Sequence, residues 1–258
     1  MRVLDRLQRL HGFLGRLRSR QHAQKQFRRE FEAFAALGSS RFSMRWEERL
    51  PCLTDRTTGT EFDRHYIYHP AWAARILART RPTEHIDISS HLSFCAIVSA
   101  FLPVKFYDYR PAALELSNLT SGTADLLALP FEGESISSLS CMHTVEHIGL
   151  GRYGEPVDPE ADLKAIAELK RVLAPGGSLL FTTPLGTPRL QFNAHRIYSY
   201  AQIISYFAPL ALREFALIQD DAKGGGLIYN APASLADKQT YGCGCFWFEK
   251  PPLQEQNS

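Results

Sequence analysis

The sequence has no long apolar segment, no cysteine framework and no strong net charge. No run approaches the roughly 18 apolar residues of a membrane-spanning helix, and the first residues lack the apolar centre of a signal peptide. The five cysteines are odd in number and scattered, which argues against a disulfide scaffold and favours a reducing compartment. A net charge of +2 gives no indication of a nucleic-acid partner. We therefore expect a cytoplasmic protein that does not bind nucleic acid.

Metal-ligand spacings are also few. Cys243-Gly244-Cys245 is the closest pair of cysteines, and no second cluster of cysteine and histidine lies near it in the chain. His65 and His69 are four residues apart, but Pro70 follows them directly, and we expect the helix to begin only after this proline. The sequence therefore predicts no metal site, and the cysteines are interpreted as structural.

The first 34 residues differ in composition from the rest of the chain. They carry many arginines and few acids, with leucines at helical spacing such as Leu4, Leu7, Leu10, Leu14 and Leu17. A basic amphipathic helix of this kind can lie on an anionic membrane surface or dock on protein, and both readings stay open. We expect a basic helical extension and linker over 1–58, a folded domain over 59–250 and a loose tail over 251–258.

The stretch from Ser135 to Gly186 predicts a βαβ unit. Ile136–Met142 favours a strand, and apolar residues at three- and four-residue spacing predict a helix from about Asp162 to Leu173. Pro175-Gly176-Gly177 is typical of a turn, and the apolar run Ser178–Thr183 favours a buried parallel strand.

Acidic residues end several other predicted strands. Glu84–Ile88 contains Asp87, Val104–Asp108 ends in an acid, and Asp125 follows a helix or loop around 111–119. In doubly wound sheets the ligand crevice lies outside the carboxyl ends of the strands, where the strand order reverses. The sequence therefore predicts an α/β protein with a ligand site at that edge.

These features resemble the class I S-adenosylmethionine-dependent methyltransferases over residues 84–186. The resemblance is carried by Leu129-Pro-Phe131, Val145-Glu-His-Ile148 and Glu168–Gly177, together with the acid-ended strands. Three further segments, FDRHYIYHPAWAARIL, SCMHTVEHIGLGRYG and FNAHRIYSY, resemble a bacterial family of uncharacterised methyltransferase-like proteins. The resemblance implies a doubly wound, mostly parallel, seven-stranded Rossmann-like sheet, whose last strand, Cys245–Glu249, is antiparallel at the sheet edge.

The same resemblance implies roles for individual residues. Asp87 would lie near the methionine ammonium, Asp108 would accept hydrogen bonds from the ribose hydroxyls, and Asp125 would face the adenine amine. For each acid, capping a helix or a loop is the alternative. The complete set of residues predicted to contact the cofactor, S-adenosyl-L-methionine, is Asp87, Ser89, Ser90, Asp108, Asp125, Leu126, Met142 and His143.

One loop departs from the methyltransferase pattern. The pattern expects glycine after the first strand, but no glycine occurs between Gly59 and Gly122, and Ser89 and Ser90 occupy the turn. Serine is small and can cap a helix, yet it does not have the free access of glycine to positive φ. We therefore expect weakened or altered cofactor binding, and a non-catalytic protein of the same fold is the alternative hypothesis.

Three side chains are candidate bases for methyl transfer to a hydroxyl. Glu146 and His147 follow the fourth strand, and His195 lies after the fifth in a polar segment. The glycines from Gly149 to Gly154 do not open a helix directly, so a loop over the substrate is favoured over a dinucleotide fingerprint. The sequence thus predicts O-methylation of a small polar or glycan-type acceptor. The alternative protein would bind a ligand or partner through the loops at 146–155 and 192–200.

Overall fold

The computed structural model describes residues 2–38 and 41–252, with side chains for all of these except 2–14, 16 and 222. The chain divides into two compact units, Met1–Glu61 and Phe62–Ser258. The described helices are α1 (Arg2–Ala36), α2 (Arg64–Thr80), α3 (Leu92–Val98), α4 (Ala161–Val172), α5 (Tyr200–Phe207) and α6 (Ala233–Ala236). The strands are β1 (His85–Ile88), β2 (Val104–Asp108), β3 (Leu119–Thr123), β4 (Ile136–Met142), β5 (Leu173–Leu185), β6 (Arg189–Gln191), β7 (His195–Ile197), β8 (Ala211–Ile218), β9 (Leu227–Tyr229) and β10 (Gly242–Glu249).

The amino-terminal unit consists of the long helix α1 and an irregular segment that contains Trp46. The Trp46 ring contacts Phe31 edge-on at a centroid distance of 5.0 Å, and the Arg49 guanidinium lies 4.2 Å from the centroid of the same ring. None of the described side chains in this unit is buried. The side chains of Leu4, Leu7, Leu10 and Leu14 lie outside the described residues, as do residues 253–258 of the predicted tail. No described helix is long and apolar enough to cross a membrane.

The second unit is built on an eight-stranded sheet with the order β3-β2-β1-β4-β5-β10-β8-β9. The first five strands are mutually parallel, and β10, β8 and β9 are antiparallel to their neighbours. The chain builds outward from β1 to β3 and then returns to the other side of β1 as β4, so the strand order reverses between β1 and β4. This architecture confirms the predicted α/β fold with a mostly parallel sheet.

Both faces of the sheet are covered, because neighbouring strand residues point to opposite sides. In β5, Leu179 and Phe181 belong to a core with α4 and α5, whereas Leu180 belongs to a core with Trp72 of α2 and Phe94 of α3. A strand that is buried on both faces needs apolar residues at nearly every position.

The position of the last strand corrects one expectation. β10 lies between β5 and β8 rather than at the edge, and the edge is formed by the three-residue strand β9. β9 is the eighth strand of the sheet, one more than predicted. Its short sequence after three glycines carries little strand signal.

Helix α2 begins seven residues earlier than the predicted start at Ala71. Asp63 caps it by accepting a hydrogen bond from the Tyr66 backbone N–H at 3.2 Å, and Pro70 lies inside the helix. An interior proline costs a backbone hydrogen bond. Burial of Trp72 and Ile76 on this helix offsets that cost, and as a result both His65 and His69 are helical.

One connection agrees with one of its two sequence expectations, and another differs from its expectation. Among the described residues 109–118 there is no helix, so β2 and β3 are joined by a loop with a single bridge. β5 begins at Leu173, and Pro175-Gly176-Gly177 forms an irregularity in its pairing with β4 rather than a turn before the strand. A Cβ on Gly177 would lie 2.9 Å from the Ile136 carbonyl oxygen, so glycine allows this close approach.

A capping box at the start of α5 provides a test of local stability. The Ser199 hydroxyl accepts from the Gln202 backbone N–H at 3.2 Å, and the Gln202 side chain accepts from the Ser199 backbone N–H at 2.9 Å. We expect Ser199→Ala to lower the free energy of unfolding by about 1 kcal/mol in urea titrations. Ser205→Ala, at an exposed position of the same helix, is the control and should leave the free energy of unfolding unchanged. Equal decreases in both variants would contradict the capping role of Ser199.

Candidate functional site

The loops that follow β1 and β4 are joined by hydrogen bonds of two hydroxyl-bearing side chains. The Ser90 hydroxyl accepts from the Met142 backbone N–H at 2.9 Å, and the Thr144 hydroxyl donates to the Ser89 carbonyl at 2.9 Å. The loops therefore hold one another at the position where the strand order reverses, which is the predicted location of the ligand site.

Ser89 and His143 both adopt left-handed backbone conformations, with φ values of 56° and 55°. A residue with a Cβ pays about 1–2 kcal/mol for this conformation. Such strain is concentrated at functional sites in proteins. The loop after β1 thus adopts with serine the positive φ that the sequence analysis reserved for glycine.

Two cavities adjoin this pair of loops and share Ser89, His143, His147 and Tyr153 as lining residues. The first has a volume of about 300 Å³ and the second about 610 Å³. The predicted cofactor residues that line the first cavity are Ser89, Asp108, Asp125, Leu126 and His143. Those that line the second are Ser89, Ser90, Met142 and His143.

Asp108 and Asp125 have the same local geometry at the first cavity. In each, Oδ1 accepts a backbone N–H two residues on, from Arg110 at 2.7 Å and from Leu127 at 2.8 Å. These turns fix the carboxylates at the ends of their strands. The second oxygen of each carboxylate has no hydrogen bond among the described residues and can accept one from a ligand.

Glu155 is a lining residue of the first cavity that the sequence analysis did not identify. Its Oε2 accepts from the Tyr153 backbone N–H at 2.8 Å, whereas its Oε1 is buried without a hydrogen-bond partner among the described residues. Burial raises the pKa of this carboxyl, but hydrogen bonds from neighbouring backbone groups outweigh burial and lower it. A buried carboxylate oxygen without a partner is costly unless a ligand donates to it. Because Glu155 lies in an irregular loop, no spacing pattern indicates its role.

Asp87 lines neither cavity. Its carboxylate is fully buried, accepts from the Ser90 backbone N–H at 3.0 Å and receives a short hydrogen bond from Ser140. The Ser140 hydroxyl lies 2.8 Å from His85 Nε2, and His85 Nδ1 lies 2.8 Å from the Ser138 hydroxyl. Since Ser140 donates to Asp87, His85 must donate from Nε2 and accept at Nδ1. These contacts place Asp87 in an internal polar chain, not at the rim predicted for the ammonium contact.

Glu146 is also fully buried and lines neither cavity, in contrast to its predicted position as a base at the rim. Its Oε1 lies 2.8 Å from His143 Nδ1. Burial alone would raise the pKa of Glu146, but His143 lowers it; burial would lower the pKa of His143, but Cys243 and Glu146 raise it. On its other side, His143 Nε2 lies 3.2 Å from Cys243 Sγ, and its ring stacks on His65 at 5.2 Å.

The two candidate histidine bases lie together at the second cavity, with ring centroids 6.2 Å apart. His147 Nδ1 lies 2.6 Å from the Ala194 carbonyl oxygen and donates to it, and Nε2 lies 3.8 Å from the buried Glu146 Oε1. His195 is on strand β7 rather than in a loop, and its Nε2 donates to Gln191 Oε1 at 2.6 Å. Burial lowers the pKa of His195, and His147 lowers it further. Each ring in its neutral form therefore has one nitrogen that can accept a proton.

The glycine-rich loop from Gly149 to Gly154 covers the junction of the cavities. The Tyr153 ring lies 4.6 Å from the Arg110 guanidinium and 5.2 Å from that of Arg152. Tyr153 lines both cavities and Arg152 lines the second.

The two comparisons with known sequences assign no activity to the chain. A family model described as "Caenorhabditis protein of unknown function, DUF268" matches residues 132–229. No curated protein sequence matches the chain.

Several solved structures resemble the chain at low identity. The N-methyltransferase NodS from Bradyrhizobium japonicum WM9, in complex with S-adenosyl-L-homocysteine, is 14% identical, with 70% of this chain and 85% of that chain covered and a TM-score of 0.47. A putative methyltransferase in complex with the Haloferax volcanii Trm112 activator is 18% identical, with 73% and 91% covered and a TM-score of 0.48. A putative sarcosine dimethylglycine methyltransferase from Galdieria sulphuraria is 14% identical, with 70% and 85% covered and a TM-score of 0.48. Likeness at this level does not assign an activity.

Burial of Asp87 predicts an unusual pH dependence of stability. Burial raises the pKa of its carboxyl to about 6 from 3.8, against the opposing effect of the Ser140 hydrogen bond. A raised carboxyl pKa means that the folded state binds the proton more tightly, so its stabilising contribution is present below pH 4 and is lost as pH rises through about 6.

We therefore expect the stability of the wild type relative to Asp87→Asn to fall by about 2–3 kcal/mol between pH 4 and pH 7. Urea titrations of both proteins across this range provide the measurement. A difference that does not change with pH would show that Asp87 keeps an ordinary pKa.

Two glycines in the covering loop form a matched pair for a second test. Both have positive φ, 75° at Gly149 and 90° at Gly154, but a Cβ on Gly149 would lie 2.3 Å from the Asp158 carbonyl oxygen, whereas one on Gly154 would meet nothing within 4 Å. We expect Gly154→Ala to cost about 1 kcal/mol of unfolding free energy through backbone strain alone. Gly149→Ala should cost a further 1–3 kcal/mol, roughly, through overpacking. Equal losses in denaturant titrations would refute the close approach.

Proposed function

We propose that this protein is an S-adenosylmethionine-dependent methyltransferase. The observation that supports this most directly is the first cavity, in which Asp108 and Asp125 each offer a free carboxylate oxygen at the carboxyl ends of adjacent parallel strands. The reversal of strand order next to this cavity is where doubly wound sheets bind nucleotide ligands.

The lining residues have chemistry suited to an adenosyl group. Asp108 would accept hydrogen bonds from the ribose diol, and Asp125 would accept one from the adenine amine, with Leu126 against the ring. The unpartnered oxygen of Glu155 adds a further acceptor. Asp87 would act through Ser90 rather than by touching the ligand, since its carboxylate bonds to the Ser90 backbone.

The second cavity would hold the methyl acceptor. Its walls carry His91, Arg152, Asn193, His195 and Tyr241, which favour a small polar or glycan-type molecule. The cofactor supplies an electrophilic methyl group on a sulfonium. The protein would align an acceptor oxygen with it, and alignment accounts for most of the gain in rate.

Proton removal would fall to the histidines of the second cavity. His147 Nε2 is the candidate base at the wall shared by the two cavities, and His195 Nδ1 is the second. A general base contributes roughly 10²–10⁴-fold to transfer to a hydroxyl. Glu146 would position His143 instead of contacting the acceptor.

A non-catalytic binding protein of the same fold is the second candidate. The observation in its favour is the enclosure of Asp87 in an internal chain, which leaves no carboxylate from β1 at the rim. Such a protein would bind a ligand or partner through the loops at 146–155 and 192–200.

Expectations from the sequence about location, domain limits and family membership are part of the same proposal. We propose a cytoplasmic location, domain limits at 58/59 and 250/251, and membership of a bacterial methyltransferase-like family. Contact of residues 1–34 with a membrane surface remains the alternative to docking on protein.

Calorimetric titration with S-adenosylmethionine and S-adenosylhomocysteine tests the cofactor site. We expect Asp108→Asn to lower the affinity for both ligands by about tenfold or more. The amide keeps the Oδ1 acceptor for the Arg110 backbone N–H but replaces the free carboxylate oxygen with a donor.

Glu115→Gln is the matched control, since it removes one exposed negative charge outside both cavities. It should leave both affinities unchanged. Absence of heat with the wild type at millimolar ligand, or equal binding by Asp108→Asn, would overturn the proposed cofactor site. Binding without methyl transfer to any hydroxyl acceptor would favour the second candidate.

A further inference from the structure

Three buried metal-ligand side chains meet beside the second cavity. His65 lies in the first turn of α2, His143 follows β4, and Cys243 is near the start of β10. One potential ligand atom from each lies within 4.8 Å of the other two, and all three residues are buried. The sequence predicts no metal site here, because Pro70 indicates a helix that begins after His65 and because Cys243 has no second cluster of ligands near it in the chain.

The orientation of His143 suits metal coordination. Its Nδ1 is held by the buried Glu146 carboxylate at 2.8 Å, so its Nε2 is directed to the Cys243 sulfur at 3.2 Å. Metal-binding histidines almost always donate their second ring nitrogen to a carboxylate or carbonyl in this way, which fixes the tautomer and the ring. Zinc–nitrogen and zinc–sulfur bonds of about 2.0 and 2.3 Å imply ligand atoms about 3.5 Å apart, close to the observed His143–Cys243 separation.

His69 provides an independent observation at the same place. It lies one helical turn after His65, its ring centroid is 5.0 Å from that of His143, and its side chain is fully buried. Neither of its ring nitrogens has a hydrogen-bond partner among the described residues. A buried polar group without a partner is costly, and a bound ion or a water on that ion would supply one.

The chemistry of the donors selects the metal. Two imidazoles and one thiol are borderline-to-soft ligands, which suit zinc and related transition metals and not calcium or magnesium, whose ligands are oxygens. Three protein ligands with one open position are the pattern of catalytic rather than structural zinc sites.

We propose that His65, His143 and Cys243 bind one Zn²⁺ ion, with Glu146 as the positioning residue for His143. The site lies against Tyr66 and Tyr241, which line the second cavity and whose rings stack on His143 at 5.6 Å and on His65 at 5.1 Å. The open position would therefore be available to a water or to a polar atom of a molecule in that cavity. Binding requires the Cys243 thiol to lose its proton to solvent, because the thiolate is the ligand.

Cobalt(II) provides a direct spectroscopic test in the full-length, untagged protein after removal of metal by chelator. We expect one equivalent of Co²⁺ to produce a near-ultraviolet thiolate-to-cobalt charge-transfer band together with visible bands of tetrahedral cobalt, and Zn²⁺ to displace it. Cys243→Ala should abolish the charge-transfer band. His65→Gln should weaken cobalt binding by about tenfold or more, and Glu146→Gln by about 10–100-fold with the band retained.

Cys245→Ala is the matched control. Cys245 lies on the same strand, two residues away, and is fully buried in the same core cluster as Cys243, but it does not belong to the ligand group. It should keep the band and the stoichiometry of the wild type. Zn²⁺ should also raise the melting temperature of the wild type and of Cys245→Ala, but not that of Cys243→Ala.

The contrary outcomes are equally specific. A folded wild type that gives no cobalt band, or an unchanged band in Cys243→Ala, would show that the cluster is a hydrogen-bonded group without a metal. If Cys243→Ala fails to fold, Cys243→Ser is compared with Cys245→Ser by the same spectra. Neither result depends on the cofactor: S-adenosylmethionine binding is measured separately by calorimetry, so either proposal can fail alone.

Discussion

Mutual attachment of the loops after β1 and β4 is the constraint on which the rest of the site depends. The Ser90 hydroxyl accepts a hydrogen bond from the backbone of Met142 at the end of β4, and the Thr144 hydroxyl donates one to the Ser89 carbonyl. The two loops therefore cannot move apart independently. Their bonds are worth about 1 kcal/mol each, which is enough to offset the strain of a left-handed serine or histidine. Ser89 and His143 of these two loops line both cavities.

This arrangement explains how the loop works without glycine. Glycine at such a turn gives positive φ without a Cβ clash, but it also increases the entropy of the unfolded chain. A serine keeps the unfolded chain more restricted, and the neighbouring Thr144 anchors its carbonyl. The sequence shows only that glycine is absent; the compensating contact comes from a residue 55 positions away.

The sequence predicted those elements whose cause is local. Val104–Asp108 and Ile136–Met142 have the predicted limits, because short segments with several apolar residues between polar and turn-forming residues are a local signal for strands. The start of α2 was wrong because Pro70 is a local signal for a helix beginning, whereas burial of Trp72 against the sheet decides the outcome. The place of β10 was wrong because strand order depends on partners distant in the chain.

The candidate site shows the same division between local and distant causes. Asp108 and Asp125 could be placed at the rim, since each ends a recognisable strand or turn. Asp87 lies one residue before the end of β1, and its side chain is enclosed by Ser140 and His85 instead of reaching the rim. Asp87 pairs with Phe106, which is two residues before Asp108, so alternation would place both acids on one face, and the depth of each residue in the sheet separates the two outcomes.

His143 connects the two proposed sites. Its Nε2 faces the Cys243 sulfur, and its ring also lines both cavities. A metal at Nε2 would fix this ring against Glu146 and so define the part of both cavities that the ring lines. His65, His143 and Cys243 are far apart in the chain, and no spacing pattern joins them. They meet because one end of each of α2, β4 and β10 lies at the edge of the sheet where the strand order reverses. The reversal of strand order therefore brings the proposed nucleotide site and the proposed metal ligands next to one another, and His143 belongs to both.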